Sequence, residues 1–328
     1  MFGSAEQVRR RTRIQTDIRA LCMQRARQQP IFRKVSHREC IFRQPRHMIS
    51  PGRLIEASYS MKGGMGSLRS EGEHCAIALA EITRPMNLRV FESSEELSRI
   101  AAAEAAAILR TAIDAQGRAR FTAATGVSQI QFLANLVTMP DVQWPSVELF
   151  HLDEYVGLRP NHPASFHRYL KERLVAPTGI VNAHLMDGAL DPRQTCEVFG
   201  REIASAPVDL TIVGIGENGH LAFNDPPADF ETREPFITVE LAETGRRQQV
   251  REGWFASLNE VPRRAVTMSI YQILQSRSIL CIAPESRKAD AIRRCFRGEI
   301  HPMSPASVLR LHSNTTLMLD RDSARFLD

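Results

Sequence analysis

The sequence predicts an α/β fold with a doubly wound, mostly parallel sheet of Rossmann-like type. From Met86 onward, short apolar runs of strand length alternate with segments of helical periodicity. Residues 208–214 form a largely apolar run, as expected of a strand buried on both faces of a parallel sheet. The 328 residues are 43% hydrophobic and 24% charged, which excludes collagen, a coiled coil and a wholly disordered chain.

The first predicted elements follow directly after Met86. Residues 88–91 have the pattern of a strand, and Ser93 and Glu96 have the spacing of a capping box. The helix that follows carries one apolar face: Leu97, Ile100, Ala101, Ala105, Ile108 and Ala112.

The later elements continue the alternation. Asp191 as N-cap and Pro192 at the first helical position indicate the start of one helix. Strands are predicted at residues 120–124, 147–152, 208–214 and 278–283, and helices at about 128–137, at 165–174 and from about 286.

Charge divides the chain into two parts. Residues 1–85 contain 16 Lys and Arg but 7 Asp and Glu, whereas the remainder has 26 basic and 30 acidic residues. The basic segment lacks sustained periodicity, so we expect residues 1–85 to be a disordered extension and residues 86–328 to be the folded domain. The extension could bind nucleic acid or a membrane; the alternative is an appended tail or an over-long reading frame.

Several observations bear on location and cofactors. No apolar run approaches the roughly 20 residues of a membrane-spanning helix. No apolar stretch follows the three arginines at 9–11, so we expect no secretory signal. We expect a cytoplasmic protein that uses no metal or other cofactor. The cysteines are scattered without a CxxC pair and are predicted to be reduced thiols: Cys22, Cys40, Cys75, Cys196, Cys281 and Cys295.

Two polar segments at predicted strand ends are suited to an anion. In open α/β sheets, ligands bind outside the carboxyl ends of the strands. The turn at Thr125, Gly126 and Ser128 offers backbone N–H groups and hydroxyl donors. Lys288 lies in the first turn of its helix, where its charge opposes the helix dipole unless an anion is bound. The alternative is an ordinary capped turn and a solvated lysine.

Two other strand ends carry acid–base groups. Asp153 and Glu154 follow one strand, and because adjacent residues of an extended chain point in opposite directions, at most one faces a site. His220 follows another strand in a glycine-rich segment, and its imidazole is a side chain that can both donate and accept a proton. Asn218 and Asp225 could orient this histidine. The alternatives are an acidic pair at a helix start and a structural loop with a hydrogen-bonded histidine.

Three segments occur in an order and spacing that a known family shares: FHLDEYVGL at 150–158, HPASFHRYL at 162–170 and GIGENGHLAFNDP at 214–226. Together they resemble the glucosamine-6-phosphate deaminase family, also called glucosamine-6-phosphate isomerase, in a superfamily with 6-phosphogluconolactonase. The resemblance covers roughly residues 86–328 and none of residues 1–85.

The resemblance implies conversion of glucosamine 6-phosphate and water to fructose 6-phosphate and ammonia, without a metal. By resemblance, Asp153 would be the general base that moves a proton from C2 to C1 of the opened sugar. His220 would catalyse ring opening, and Asn218 with Asp225 would hold it. The phosphate would be bound by four residues: Thr125, Gly126, Ser128 and Lys288.

The chain departs from the family pattern at several positions. Asn218 stands where many members have Asp, Asp225 replaces the usual Glu, and the turn reads TGVSQ instead of TGGTP. Residues 230–239 lack the basic pattern of allosterically regulated members, so we expect an unregulated or differently regulated enzyme. A phosphate-binding arginine is expected among three candidates: Arg246, Arg247 and Arg251.

Two other functions remain as alternatives. A 6-phosphogluconolactonase-type hydrolase would share the fold, but that family typically reads GHTASLFP where this chain has GHLAFNDP. A sugar-phosphate-sensing transcription regulator would use the basic segment, yet residues 1–85 show no clear helix-turn-helix pattern. The expected partner is therefore a small sugar phosphate, neither nucleic acid nor a membrane, and a homo-oligomer could form.

Overall fold

The computed structural model describes residues 86–327, so the predictions for residues 1–85 lie outside the described residues. The strands are β1 (Asn87–Phe91), β2 (Ala119–Ala123), β3 (Val147–His151), β4 (Asp153–Tyr155), β5 (Asn182–His184), β6 (Leu210–Val213), β7 (Phe236–Glu240), β8 (Arg264–Met268), β9 (Ser278–Ile282) and β10 (Thr315–Asp320).

The α-helices are α1 (Ser94–Gln116), α2 (Ile130–Leu136), α3 (Phe166–Leu170), α4 (Ala176–Thr178), α5 (Pro192–Ala204), α6 (Glu243–Arg251), α7 (Ile270–Ile273), α8 (Ala289–Arg297) and α9 (Arg321–Ala324). A π-helical stretch, Lys171–Val175, joins α3 to α4. Short 3-10 turns lie at Val127–Gln129, Trp144–Ser146, Ser286–Lys288 and Pro305–Leu311. None of the described helices is long and apolar enough to cross a membrane.

Seven strands form one parallel sheet in the order β1-β10-β9-β6-β2-β3-β5. The predicted doubly wound α/β fold is therefore confirmed. From β2 the chain builds outward through β3 to β5, and from β6 it builds in the other direction through β9 to β10. The switch of direction lies between β2 and β6, where open α/β sheets bind their ligands.

A second, antiparallel sheet of three strands has the order β4-β8-β7. Its first strand begins at Asp153, two residues after β3 ends in the large sheet. The chain thus passes from one sheet to the other at the acidic pair. The register pairs Asp153 with Thr267 of β8 and Glu154 with Val266, which fixes the backbone of the acidic pair on one side.

The helices begin at the caps that the sequence predicts. The predicted apolar face of α1 is confirmed in part, because Leu97, Ala101 and Ala105 are buried whereas Ile100, Ile108 and Ala112 are half-buried. Ser93 Oγ accepts a hydrogen bond from the backbone N–H of Glu96 at 3.2 Å, and Leu97 at the start of α1 is fully buried. Asp191 accepts from the first turn of α5, with Pro192 at its first position. These contacts orient the layers that cover the sheet.

Candidate active site

A cleft of about 560 Å³ lies at the carboxyl ends of four neighbouring strands, β9, β6, β2 and β3. Each of the four strand ends that the sequence singled out supplies part of its wall. Six of the eight predicted site residues line the cleft, and they come from all four strand ends: Thr125, Gly126, Ser128, Asp153, His220 and Lys288.

The turn after β2 has its backbone fixed from two sides. Gly126 has φ of 102°, a left-handed conformation that favours glycine. Its carbonyl accepts a hydrogen bond from the Tyr169 hydroxyl at 3.0 Å. Gln129, which stands where the family pattern has Pro, donates from Nε2 to the carbonyl of Ile282 at 3.1 Å. This amide ties the turn to β9, the strand that leads to Lys288.

Lys288 is the one lysine or arginine among the described residues that line the cleft. It is 2% exposed. Burial lowers the pKa of its ammonium group below the ordinary value, although the nearby Glu285 carboxylate opposes the shift. A bound anion would stabilise the charged form, so this buried cation is suited to a phosphate group.

The two adjacent carboxylates have separate surroundings, as their alternation predicts. Glu154 points away from the cleft and accepts hydrogen bonds from the Ser165 hydroxyl at 2.7 Å and from the backbone N–H of His167 at 2.8 Å. It thereby fixes the start of helix α3. Asp153 lines the cleft instead, is 4% exposed, and its Oδ1 has no hydrogen-bond partner.

Burial, and then the neighbouring Glu154 carboxylate, raise the pKa of Asp153 well above its ordinary value. A carboxylate that is buried, unpartnered and raised in pKa is a stronger base than an exposed aspartate. It is therefore suited to take a proton from a bound molecule near neutral pH.

The imidazole ring of His220 packs directly against the backbone of Gly216. A Cβ at Gly216 would overlap its imidazole ring, so only glycine lets the ring occupy this place. Nδ1 of His220 lies 3.3 Å from Oδ1 of Asp225, at ion-pair distance but without hydrogen-bond geometry. The side chain thus lines the cleft with a carboxylate behind it.

Asn218 and Asp225 form a matched pair behind His220. Asn218 Nδ2 donates to Asp225 Oδ1 at 2.8 Å, and Asn218 Oδ1 accepts from the backbone N–H of His220 at 3.1 Å. The Asn218 amide thus donates a hydrogen bond to Asp225 that an ionised aspartate at position 218 could not donate.

The start of helix α6 completes the surroundings of Asp225. Oδ2 of Asp225 accepts a hydrogen bond from the backbone N–H of Ala242, the residue before α6, at 3.0 Å. Burial alone would raise the pKa of Asp225, but the His220, Asn218 and Ala242 contacts outweigh it and lower the pKa. Asp225 is therefore held as a carboxylate beside His220.

Helix α6 also supplies a wall that sequence reasoning missed. Gln248, Gln249 and the residue that follows the helix, Glu252, line the cleft. The sequence of α6, ETGRRQQVR, has little apolar periodicity, so no helix was predicted there. The one sequence feature that could have indicated this wall is the adjacent pair Gln248 and Gln249, which lies between the strands predicted at 208–214 and 278–283.

The three arginine candidates do not line the cleft. They are bound elsewhere: Arg246 to the backbone carbonyls of Leu258 and Val261, Arg247 to Glu243, and Arg251 to Glu217.

Comparison with known proteins identifies the family. The family model described as glucosamine-6-phosphate isomerases/6-phosphogluconolactonase matches residues 92–318. The chain belongs to this family. The match begins just after β1 and ends within β10, so it includes every strand end that forms the cleft.

Three relatives from different bacteria are named glucosamine-6-phosphate deaminase. A glucosamine-6-phosphate deaminase from Clostridium acetobutylicum is 34% identical over 63% of this chain and 86% of that protein. One from Lactobacillus delbrueckii subsp. bulgaricus is 32% identical over 74% of this chain and 100% of that protein. One from Bacillus pumilus is 35% identical over 73% of this chain and 98% of that protein.

Solved structures agree with the family assignment. A monomeric glucosamine-6-phosphate deaminase is 31% identical, with a TM-score of 0.69, and the match covers 74% of this chain and 100% of that one. A 6-phosphogluconolactonase from Shewanella baltica has a TM-score of 0.60 at 18% identity, over 73% of this chain and 99% of that one. The second likeness shows a shared fold.

Proposed function

We propose that this family member hydrolyses and isomerises glucosamine 6-phosphate to fructose 6-phosphate and ammonia. The observation that carries the proposal is the buried, unpartnered Asp153 carboxylate in a cleft that also contains His220 and the buried cation Lys288. The relatives named glucosamine-6-phosphate deaminase, at 31–36% identity, support the substrate.

The phosphate of the sugar would bind at the turn after β2 and at Lys288. The turn offers the hydroxyl groups of Thr125 and Ser128, and Gly126 lets its backbone approach an anion closely. Anchoring the phosphate fixes the position of the carbons at the other end of the sugar, where the reaction takes place.

His220 would open the pyranose ring. Ring opening needs a proton delivered to the ring oxygen and another removed from the C1 hydroxyl, and an imidazole can do both near neutral pH. In this proposal Asp225 and Asn218 are positioning residues, because they contact His220 and the loop around it.

Asp153 would then take the proton from C2 of the open aldehyde and return it at C1. In the same conversion the C1 carbonyl oxygen gains a proton and the C2 amino group gives one up, so C1 becomes an alcohol and C2 an imine. Water adds to the imine carbon and ammonia leaves, so the products are fructose 6-phosphate and ammonia. The raised pKa of Asp153 suits both halves of the transfer, since the same group must accept and release a proton.

The test is a comparison of two substrates with the full-length protein. Glucosamine 6-phosphate should give equal amounts of ammonia and fructose 6-phosphate, measured by coupled enzymatic assays. Hydrolysis of 6-phosphogluconolactone should not exceed its spontaneous rate. Lactone hydrolysis without ammonia release would overturn the proposal.

Two further predictions belong to this proposal. We expect the protein to act in the cytoplasm, because its cysteines are scattered without a CxxC pair and its proposed substrate is a sugar phosphate. Association of copies of the chain stays a prediction, to be tested by sedimentation.

A further inference from the structure

Three side chains among the described residues that line the cleft have a buried polar atom without a hydrogen-bond partner. They are Asp153 at Oδ1, His220 at Nδ1 and Gln249 at Oε1. The proposed reaction uses the first two and leaves the third without a role. Gln249 is only 8% exposed, and a buried amide oxygen without a hydrogen-bond partner is unfavourable.

The position of Gln249 along α6 shows which part of a bound molecule it would meet. Four residues before it, on the same face of the helix, Gly245 lies against the Asp225 carboxylate beside His220. Three residues after it, Glu252 accepts a hydrogen bond from Arg287, the neighbour of Lys288. Measured along the helix axis at 1.5 Å per residue, Gln249 lies about 6 Å from Gly245 and about 4.5 Å from Glu252.

The two neighbours of Gln249 on the cleft wall already have partners. Gln248 donates to Glu252 at 2.8 Å and accepts from the backbone N–H of Glu217 at 3.4 Å. Glu252 also accepts from Arg287 at 2.8 Å. These bonds hold the helix against the loops that follow β6 and β9. Of the three, Gln249 is the one with a buried side-chain oxygen that has no hydrogen-bond partner.

We infer that Gln249 is a specificity-determining residue that binds a hydroxyl group between the phosphate and the reacting carbons of the substrate. The inference rests on the proposed function and deepens it. A neutral amide suits a hydroxyl, because a hydroxyl can donate to Oε1 without bringing charge into the cleft. The candidates are the hydroxyls at C3 and C4, which are free in both the ring and the open form of glucosamine 6-phosphate, whereas the C5 oxygen is a hydroxyl only after the ring opens.

The test pairs a residue change with a substrate change. Gln249→Leu is compared with wild type and with Gln194→Leu, a matched change at an exposed position of α5. Each protein is assayed for ammonia release with glucosamine 6-phosphate and with its 3-deoxy and 4-deoxy analogues. Thermal midpoints are measured alongside, and Gln249→Leu is expected to unfold no earlier than wild type.

With glucosamine 6-phosphate, kcat/KM should fall about 10- to 100-fold in Gln249→Leu and stay unchanged in Gln194→Leu. Wild type should turn over one of the two deoxy analogues at least about tenfold less efficiently than the parent. Gln249→Leu should turn over that analogue and the parent within about threefold of each other. Equal discrimination by wild type and Gln249→Leu, or none by wild type, would overturn the inference.

Failure of the proposed function gives a different result. If wild type releases no ammonia from glucosamine 6-phosphate, that function is wrong, and binding of glucitol 6-phosphate then decides the inference by calorimetry. Binding at least about tenfold weaker in Gln249→Leu than in wild type would support a hydroxyl contact. Equal binding by the two proteins would overturn it.

Discussion

Asp153 is the residue whose surroundings are most unusual. It is buried, it lies next to a second carboxylate, and its Oδ1 has no hydrogen-bond partner. Glu154 avoids the same difficulty by accepting four hydrogen bonds, three from residues 165–167 and one from the backbone N–H of Tyr155. The fold therefore keeps one carboxylate satisfied and leaves the other facing the cleft. We interpret this as strain at a functional position.

The raised pKa of Asp153 has a consequence for stability. Its pKa in the folded protein lies well above the ordinary value, so ionisation disfavours the folded state as pH rises through the folded pKa. Asp153→Asn should therefore raise the thermal midpoint at pH 8, by about 2 °C or more. The gain should shrink as the pH falls and vanish below the ordinary pKa of 3.8, where the carboxyl is protonated in both states. An unchanged or lower midpoint at pH 8 would show that the carboxylate is paired.

Gly216 offers a separate test of the His220 position. A Cβ at this residue would overlap the imidazole ring, so Gly216→Ala should displace the ring and lower kcat about 100-fold or more. The matched control is Gly200→Ala in α5, where the nearest atoms to an added Cβ are 3.8 Å away. Steady-state assays should show normal activity for the control. Normal activity in Gly216→Ala would mean that the ring position does not matter.

At the scale of elements, the strand-end rule predicted the site better than any single motif. The ends of β2, β3, β6 and β9 were each ambiguous alone, and the fold makes these strands neighbours. The roles of the residues there stay predictions. What the sequence did not predict is the wall formed by α6, because a short polar helix held by contacts with Asp225 and Arg287 has no periodic apolar face.

The small sheet was missed for a related reason. Its strand β4 has three residues and begins only two residues after β3 ends, so the sequence pattern does not separate the two strands. Alternation of apolar and polar residues shows that a chain is extended, but it does not show which sheet the strand joins. The transition is set by pairing with β8, which lies more than 100 residues later.

The turn after β2 yields a prediction of its own. Gln129→Leu keeps the side-chain size but removes the hydrogen bond to the Ile282 carbonyl, which links the turn to the strand before Lys288. Because the phosphate would bind between these two segments, KM for the sugar phosphate should rise about tenfold, with a smaller change in kcat. Assays with varied substrate separate the two constants. A loss confined to kcat would place the effect at the reacting carbons.

At the scale of the whole molecule, the described core begins at Phe91 and ends at Leu327. The family match lies within the same limits, at residues 92–318. The limits of the family match support the prediction that residues 86–328 form the catalytic domain.

A chain that begins at Met86 should therefore fold cooperatively and keep the activity of the full chain within about threefold, or under about 1 kcal/mol in barrier height. Ammonia release and thermal unfolding of the two proteins would be compared side by side. Limited proteolysis of the full chain should cut first before Met86. An insoluble shorter chain, or a midpoint lower by more than about 5 °C, would show that residues 1–85 pack on the domain.

The central claim is that the buried Asp153 carboxylate moves the proton in a deamination. The most direct measurement is ammonia release from saturating glucosamine 6-phosphate by wild type and by Asp153→Asn, with glucitol 6-phosphate binding measured on both proteins. Wild type should form one fructose 6-phosphate per ammonia. Asp153→Asn should be at least about 100-fold slower while its binding stays within about threefold of wild type. Ammonia release by Asp153→Asn within tenfold of wild type would contradict the account.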